Sequence, residues 1–588
     1  MAPEGRNAAK VRDPLARKLS HALVMAVLTS SLLMAIVPAK AAGQSGSNVT
    51  QVIRQADDSE NVQFVLTLPL QNQAELNQLL KSVYNPHSPN YRHFLSSAEF
   101  KSKYAPSDAA YAALESFAKK SGLTVTGEHT GHTLLDVSGN AATIRNNFKT
   151  QMYWRQTNEG KQYLASDVEP TAPSELSSLG GNVAGLNQRP LKAFAQPTGG
   201  NPPTGTGSGP GGLFIPYDIK TAYNLNGIQN GGEPVALVEF SSANYSDAAV
   251  YASWFGLNNP TLTQISVDGG TTDESNADEV MLDIEMVMSV SNATNIYIYT
   301  APNTTTGALD LYAQIAEDNL VGQVSISWGG CEANLEPGAA NQQNTAFSQM
   351  AAEGIAVFAS SGDYADVGCP GGHGLGVIDP ASQPYVTGVG GTSLTTAKSS
   401  QTYVSESAWL TLPTGSGGGI SSLWPIPAYQ TGVTPQSSQF STTMRNVPDV
   451  ALNANPNTGY YIYCSICGSN KTAGWTGYGG TSAAAPQWAA LWSLIGKGLT
   501  PSSGSPVRAG FANPTIYAIG ENSNQYAQNF HDVTTGTNAY YNAVAGYDNV
   551  TGWGSFNGGN LYQAVIARKR TSTIAPIISY LLLRNTGN

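Results

Sequence analysis

Apolar positions along this chain come in two series, separated by a stretch that has almost none. In the first series, residues 62–70 (VQFVLTLPL) alternate with the period of a strand, while 73–83, 109–120 and 141–148 repeat with the period of helices. Short apolar runs at 123–125 and 134–137 add two strands. Strands and amphipathic helices in this order, over 44–195, predict a small α+β domain. Residues 196–212 (QPTGGNPPTGTGSGPGG) have little to bury and predict a flexible, exposed linker open to proteolysis. From 213 to 566 the pattern changes. Apolar runs at 234–240, 293–301, 321–328 and 355–360 alternate with helical repeats at 276–290, 309–318 and 344–353. Buried strands spaced by helices predict a largely parallel α/β sheet. Reactive side chains then belong at the carboxyl ends of strands and in the loops beyond.

Composition changes this picture at the ends and in the charge. Arg6, Lys10, Arg12, Arg17 and Lys18 precede an uncharged apolar run over 22–37 and then Ala39-Lys40-Ala41. That is the basic region, apolar core and small-residue cleavage pattern of a secretory signal over 1–41. The run is short for a bilayer span, which favours cleavage and export over a retained anchor. Residues 567–588 carry Arg568-Lys569-Arg570 and an apolar run over 574–583 that is too short to cross a membrane, and read as a tail. Between 201 and 566 there are 25 Asp and Glu against 6 Lys and Arg, a bias that excludes nucleic acid as a partner. A chain with so few bases gains little positive charge when its carboxylates protonate, a composition that suits acid, with solubility alone as the alternative explanation. The four cysteines all follow residue 330 and, in an exported chain, predict disulfides. Of three connectivities, the expected one pairs Cys331 with Cys369 and Cys464 with Cys467.

Candidate chemistry lies in the second domain. Residues 474–492 (GWTGYGGTSAAAPQWAALW) read as a glycine turn that delivers Ser482 to the start of a helix, a place suited to a developing oxyanion. A plain helix cap is the alternative. A nucleophilic serine needs a base, and neither His373 nor His531 lies in a context that supports a serine–histidine–aspartate triad. Glu279 and Asp283 lie four residues apart on one face of a helix, among apolar neighbours. Such a pair repels and loses hydration, so at least one pKa rises. A glutamate raised from about 4.3 serves as a base in acid, where histidine is protonated. The alternative is a solvated acidic face, since Asp273, Glu274, Asp278 and Glu285 are close by. Asp363, in SSGD after a buried strand, suits an oxyanion donor if kept protonated, or else an Asx turn. The string GGTS recurs at Ser393 without the Ala-rich helix or the proline, so Ser393 reads as structural. Glycine-containing loops at 531–536 and 543–554 offer the oxygen ligands that Ca²⁺ takes.

The pieces EVMLDIE (279–285), SISWGG (325–330), SSGD (360–363), GGGISSLWPIPAYQ (417–430), RNVPDVALNANPNTGY (445–460) and GGTSAAAP (479–486) come in one order. In that order, over about residues 44–566, the chain resembles the sedolisin (serine-carboxyl peptidase) family, kumamolisin type. The resemblance implies a subtilisin-like, mostly parallel twisted sheet flanked by helices over 213–566. Ahead of it stands an implied ferredoxin-like α+β activation pro-domain over 44–195. Implied roles are Ser482 as nucleophile, Glu279 as general base, Asp283 as its partner and Asp363 as the oxyanion-stabilising acid. Glu239 and Trp328 match positions that extend the network behind the carboxylate pair. One Ca²⁺ is implied, held by Asp532, Asp548 and the main-chain oxygens of Val533, Val544 and Gly546, though the family often has glycine where Val544 stands. The expectation is a secreted, acid-acting serine-carboxyl endopeptidase, made as a proenzyme that cuts itself within or near 190–212. Its partners are protein and peptide substrates and its own pro-domain, with neither nucleic acid nor, after signal cleavage, a membrane. A tripeptidyl-peptidase of the family, a neutral histidine-based protease and a non-catalytic binding protein on this scaffold are the competing readings.

Overall fold

A computed structural model describes residues 50–198, 205–365, 375–467, 474–501 and 507–568. The expected signal segment, Cys369, His373 and residues 569–588 lie outside these. Among the described residues no helix is long and apolar enough to cross a membrane.

In the N-terminal unit the chain runs β1 (Asn61–Thr67), α1 (Gln73–Val83), α2 (Ser97–Tyr104), α3 (Asp108–Lys120), β2 (Thr124–Glu128), β3 (Leu134–Asn140), α4 (Ala141–Phe148) and β4 (Asn182–Ala184). The four strands pair antiparallel in the order β2-β3-β1-β4, the ferredoxin-like arrangement. Val62, Phe64 and Leu66 alternate inward along β1 and pack with Leu114, Phe117, Ile144 and Phe148 of the helices. Periodicity misses α2 because only Phe100 and Tyr104 of its eight residues are buried. A capping box between Ser96 and Glu99 fixes its start instead.

Two short strands, β5 (Lys192–Ala193) and β6 (Gln196–Pro197), lead into the second unit. Its elements are β7 (Val235–Glu239), β8 (Thr261–Ser266), α5 (Ala277–Ser291), β9 (Asn295–Thr300), α6 (Thr305–Asp318), β10 (Gln323–Ile326), β11 (Trp328–Cys331), α7 (Pro337–Ala352), β12 (Ala356–Ser360), β13 (Thr387–Thr396), β14 (Tyr403–Ala408), β15 (Val450–Asn453), β16 (Trp475–Gly479) and α8 (Thr481–Leu499). Strands pair in the order β8-β9-β7-β10-β12-β13-β14, with β15 also beside β13. Every pairing is parallel except β13 with β14. The strand period of two assigns the faces. Val235, Leu237 and Phe358 pack on α5 and α8. Ala236, Val238 and Ile326 pack on α6 and α7.

Two departures from the expected pattern shape the site. The apolar run 321–328 is not one strand. β10 ends at Ile326, and β11 leaves the sheet to pair with Ile378–Asp379 on one side and Lys192–Ala193 on the other. Nor is 196–212 simply a linker. Gln196 and Pro197 pair antiparallel with Gly479 and Tyr478 of β16, and the Thr198 N–H donates to the Gly477 carbonyl at 2.9 Å. Further on, the Thr396 N–H donates to Thr206 Oγ1 at 2.7 Å and the Ser208 N–H to Asp218 at 2.8 Å. A stretch poor in apolar side chains still owns backbone donors and acceptors, and here they complete the edge of a buried strand. Cys464 and Cys467 are linked as expected. Cys331 is also disulfide-bonded, its expected partner Cys369 lying outside the described residues.

Candidate active site

The carboxylates ride on α5. Its residues are apolar on nearly every side, so the helix is buried along its whole length and takes Glu279 and Asp283 inside with it. Glu279 Oε2 accepts the Ala195 backbone N–H at 2.6 Å, and Oε1 accepts no hydrogen bond among the described residues. Burial, and after it the charge of Asp283, raise the Glu279 carboxyl well above its ordinary range, against the opposing effect of the neighbouring Ser482 hydroxyl. Asp283 Oδ1 accepts the Ser327 hydroxyl at 2.7 Å, while Oδ2 has no partner. Burial and the charge of Glu239 raise Asp283 in turn. Glu239, at the end of β7, accepts the Trp328 indole N–H at 2.9 Å, and its other oxygen is also unpartnered. Burial raises this carboxyl too, with Glu279 adding to the effect. Three buried carboxyls thus act on one another. They cannot all be ionised, because each charge makes the next harder to form. The alternative of a solvated acidic face fails at Glu285, which is buried and accepts the Tyr463 N–H at 2.9 Å.

Ser482 reaches this group through a single glycine. β16 ends at Gly479, Gly480 adopts a φ of 101°, and α8 begins at Thr481. Only glycine takes that backbone readily. A Cβ there would also collide with the Phe194 carbonyl oxygen and come within 2.7 Å of Asp363 Oδ2. Ser482 is buried in the first turn of the helix, its hydroxyl donating to the Ser327 carbonyl at 3.4 Å. Asp363, just past β12, accepts the Thr481 N–H and hydroxyl on Oδ1, each at 2.8 Å; among the described residues Oδ2 makes no close hydrogen bond, although the Gln196 side chain also acts on this carboxyl. Burial pushes the Asp363 carboxyl up to about 7. In acid it is therefore a neutral group whose proton belongs on Oδ2.

The cleft between these groups holds the chain's own residues 192–198. On one side Ala193 and Lys192 pair with Trp328 and Gly329; on the other Gln196 and Pro197 pair with Gly479 and Tyr478. Upstream, Asn303 grips Leu191 at both backbone groups, 2.7 Å at its N–H and 3.0 Å at its carbonyl.

The structure thus brings Ser482, Glu279, Asp283, Asp363, Glu239 and Trp328 together. Ser327 and Thr481 were not anticipated, although each lies beside a residue that was. Ser393 lies in β13, where its hydroxyl accepts Asn455 Nδ2 at 2.9 Å, in keeping with a structural role. His531 stacks on Tyr403, ring centroids 3.7 Å apart, and burial drops its pKa to about 4.

Asp532 and Asp548 flank the turn at 544–546. Gly546 N–H donates to Asp532 at 3.1 Å and Val544 N–H to Asp548 at 2.9 Å. The carbonyls of Val533, Val544 and Gly546 accept no hydrogen bond among the described residues. Two carboxylates and three free carbonyls are oxygen ligands of the kind Ca²⁺ takes, and Asp548 also accepts the Val550 and Thr551 N–H groups. A separate group, His129 with Asp136 and Asp310, joins the two units. His129 Nε2 lies 3.2 Å from Asp136 Oδ1 and 3.4 Å from Asp310 Oδ1.

Residues 48–189 match the family model of the pro-kumamolisin activation domain. Over 505 residues the chain is 32% identical to kumamolisin of Bacillus sp. (strain MN-32), covering 82% of this chain and 87% of that one. It is 26% identical over 562 residues to tripeptidyl-peptidase 1 of Canis lupus familiaris, covering 87% and 92%. Among solved structures, Pseudomonas sedolisin, a serine-carboxyl proteinase complexed with two molecules of pseudo-iodotyrostatin, aligns with a TM-score of 0.53 and 26% identity. The alignment spans 60% of this chain and 98% of that one.

Proposed function

Because this chain belongs to the sedolisin (serine-carboxyl peptidase) family of hydrolases, we propose that it is a secreted, acid-acting endopeptidase released from a self-inhibited precursor. One observation carries the reading. Fully buried Glu279 holds a backbone amide with one oxygen and keeps the other unpartnered beside Ser482. A base so placed takes the serine proton as Ser482 Oγ attacks a peptide carbonyl, and returns it to the departing nitrogen. Asp283, held by Ser327 and raised by its neighbours, keeps a proton available to Glu279. Asp363 donates its proton to the oxyanion. Glu239 and Trp328 position the pair from behind.

Endopeptidase action is favoured over removal of tripeptides by the occupied cleft. The chain continues through it upstream of Lys192, where Asn303 holds Leu191, so the acyl side accommodates more than three residues. Residues 48–189 act as the inhibitory pro-domain. Ca²⁺ would be held by Asp532, Val533, Val544, Gly546 and Asp548, and would supply structural closure of the 531–548 loops rather than chemistry. Export is supported by the basic–apolar–small pattern at 1–41 and by the disulfides.

A pH–rate profile on an acid-unfolded protein substrate tests the reading. The expected optimum lies below pH 6, and activity is absent in Ser482→Ala. An optimum at or above neutrality would sink the carboxylate mechanism.

A further inference from the structure

We propose that the precursor cuts itself at the Phe194–Ala195 bond, and that the pocket holding the Phe194 ring makes the released enzyme select a bulky aromatic residue on the acyl side of the bond it cleaves. The proposal rests on the peptidase reading above and deepens it.

The two ladders that grip the occupying segment stop short of each other. Lys192 and Ala193 belong to one, Gln196 and Pro197 to the other, and Phe194 and Ala195 bridge the gap. There the Phe194 carbonyl lies against Gly480, on the same side as Asp363 Oδ2 and at the foot of the helix that carries Ser482. The Ala195 N–H points at Glu279 Oε2, 2.6 Å away. A peptide bond whose oxygen faces the oxyanion donor and whose nitrogen faces the general base is arranged for acyl transfer. Among the described residues 192–198, this is the bond that meets both conditions.

The step balances without a co-reactant other than water. Ser482 Oγ bonds to the Phe194 carbonyl carbon, and its proton passes through Glu279 to Ala195 N as the C–N bond breaks. Ala195 leaves as a free amine. Water then attacks the Phe194 acyl ester, giving its proton to Glu279 and its hydroxyl to the carbonyl carbon. Ser482 regains a proton, and Phe194 ends as a carboxyl terminus.

The pocket is built for a ring. Phe194 is fully buried, edge-on to Tyr364 with centroids 6.2 Å apart. Its floor is Gly329, where a Cβ would come within 3.1 Å of Phe194 Cε2 and 2.5 Å of Ile378 Cγ2. A side chain at 329 would take the space the ring occupies. Ile378 and Tyr364 stand at the ring and reward a flat apolar group, while Arg189, Lys192, Glu336 and Asp379 lie farther round the same cavity.

Purified precursor is brought to pH 4, quenched before half is converted, and read by intact mass and N-terminal sequencing. The expected first new N-terminus is Ala195, formed at a rate independent of precursor concentration. A first cut at any other bond, including one within 199–212, overturns the assignment. Released wild-type enzyme is then given octapeptides that differ only in the acyl-side residue. The kcat/KM for Phe should exceed that for Ala or Asp by at least about tenfold; equal values, or preference for a charged residue, overturn the pocket. Phe194→Asp precursor should process at least about tenfold more slowly, and processing at the wild-type rate and bond overturns the proposal. If that variant misfolds, the peptide series decides, since it uses the wild-type enzyme. Failure to cut either itself or an acid-unfolded protein sinks the peptidase reading. Cutting that protein while Phe194–Ala195 survives sinks only this inference.

Discussion

The Ala195 backbone N–H donates to Glu279 Oε2 at 2.6 Å, so the side chain read as the base already holds the nitrogen of a peptide bond. Its partner oxygen accepts no close hydrogen bond among the described residues and has the Ser482 hydroxyl as a neighbour, and the fully buried Asp283 lies one turn along the same helix. One carboxyl therefore stands between the serine and a bound amide, which is what proton transfer in both directions demands.

Glu279→Gln keeps the volume and an acceptor for Ala195 but cannot take a proton. Self-processing, followed by the appearance of new fragments in acid, should slow by about 10²–10⁴-fold, the usual value of a positioned base. The melting temperature should hold or rise, because a buried ionisable group has been replaced by a neutral one. Processing within tenfold of wild type would remove Glu279 from the mechanism.

Asp363 is anchored by Thr481 on one oxygen and presents the other beside the Phe194 carbonyl. Asp363→Ala should lower kcat by about 10²–10³-fold, as for loss of one oxyanion donor. Asp363→Asn supplies an amide N–H whatever the pH and should lose less. With a pKa of about 7, the wild-type carboxyl stops donating as pH rises through neutrality. The Asn variant should therefore retain a larger share of its own maximum at pH 7 than wild type does. Identical pH profiles would show that another group sets the alkaline limb.

Much of this site was readable in the chain, and what was not has physical reasons. Helix α1 and α4 match the expected ranges to the residue because their apolar period is clear, with Asn140 capping α4 as well. Glu279 and Asp283 stood out through their spacing on a mostly apolar helix. Ser327 was not, since an apolar run that continues through Trp328 hides the point where β10 leaves the sheet. Residues 196–198 were misjudged because composition reports side chains, while their role is a backbone pairing with β16. A solvated face at Glu285 stayed open in the sequence because local pattern does not say which strand will cover a helix face. The His129–Asp310 contact links residues far apart in the chain, beyond any local signal.

Stability should rise as the solution becomes acidic. Burial holds Glu353 at about 8, Asp379 at about 7 and Asp363 at about 7 in the folded chain, against about 4 when unfolded. Between those limits the folded chain keeps protons that the unfolded chain has released. Their contribution is present in full below about pH 4 and is lost as pH climbs towards 8. Calorimetry of Ser482→Ala precursor, which cannot digest itself, should give a melting temperature several degrees higher at pH 4.5 than at pH 7.5. The reverse order would show these acids to be ionised in the folded chain.

Calcium should stabilise the 531–548 loops. At a hundredfold excess over its dissociation constant an ion that binds only the folded chain adds about 2.7 kcal/mol. A melting point that rises by a few degrees with Ca²⁺ and falls with chelator is expected for Ser482→Ala precursor. Asp548→Asn, which removes a charge from the oxygen set, should abolish most of the response. A wild-type melting point indifferent to both additions would count against the site.

His129 sits between Asp136 of its own unit and Asp310 of the other, with Asp268 also near Asp310. Burial works against its charge, yet the bonds to Asp136 and Asp310 raise its pKa well above the ordinary value. As acid is added His129 stays charged, while Asp310, raised by burial, takes up a proton sooner than an exposed carboxylate would. The buried cation then keeps only part of its counter-charge, and the contact between the units weakens. Asp310→Asn imposes that loss at every pH. Its precursor should begin processing at a higher pH than wild type, shifted by about one unit or more, with kcat of the released enzyme unchanged because Asp310 touches none of the catalytic carboxyls. His129→Gln removes the cation and its dependence on Asp310 together, so adding Asp310→Asn to it should shift the onset little further. Onset at the wild-type pH in Asp310→Asn would show that the acid trigger lies elsewhere, with the Asp363 and Glu279 cleft as the place to look.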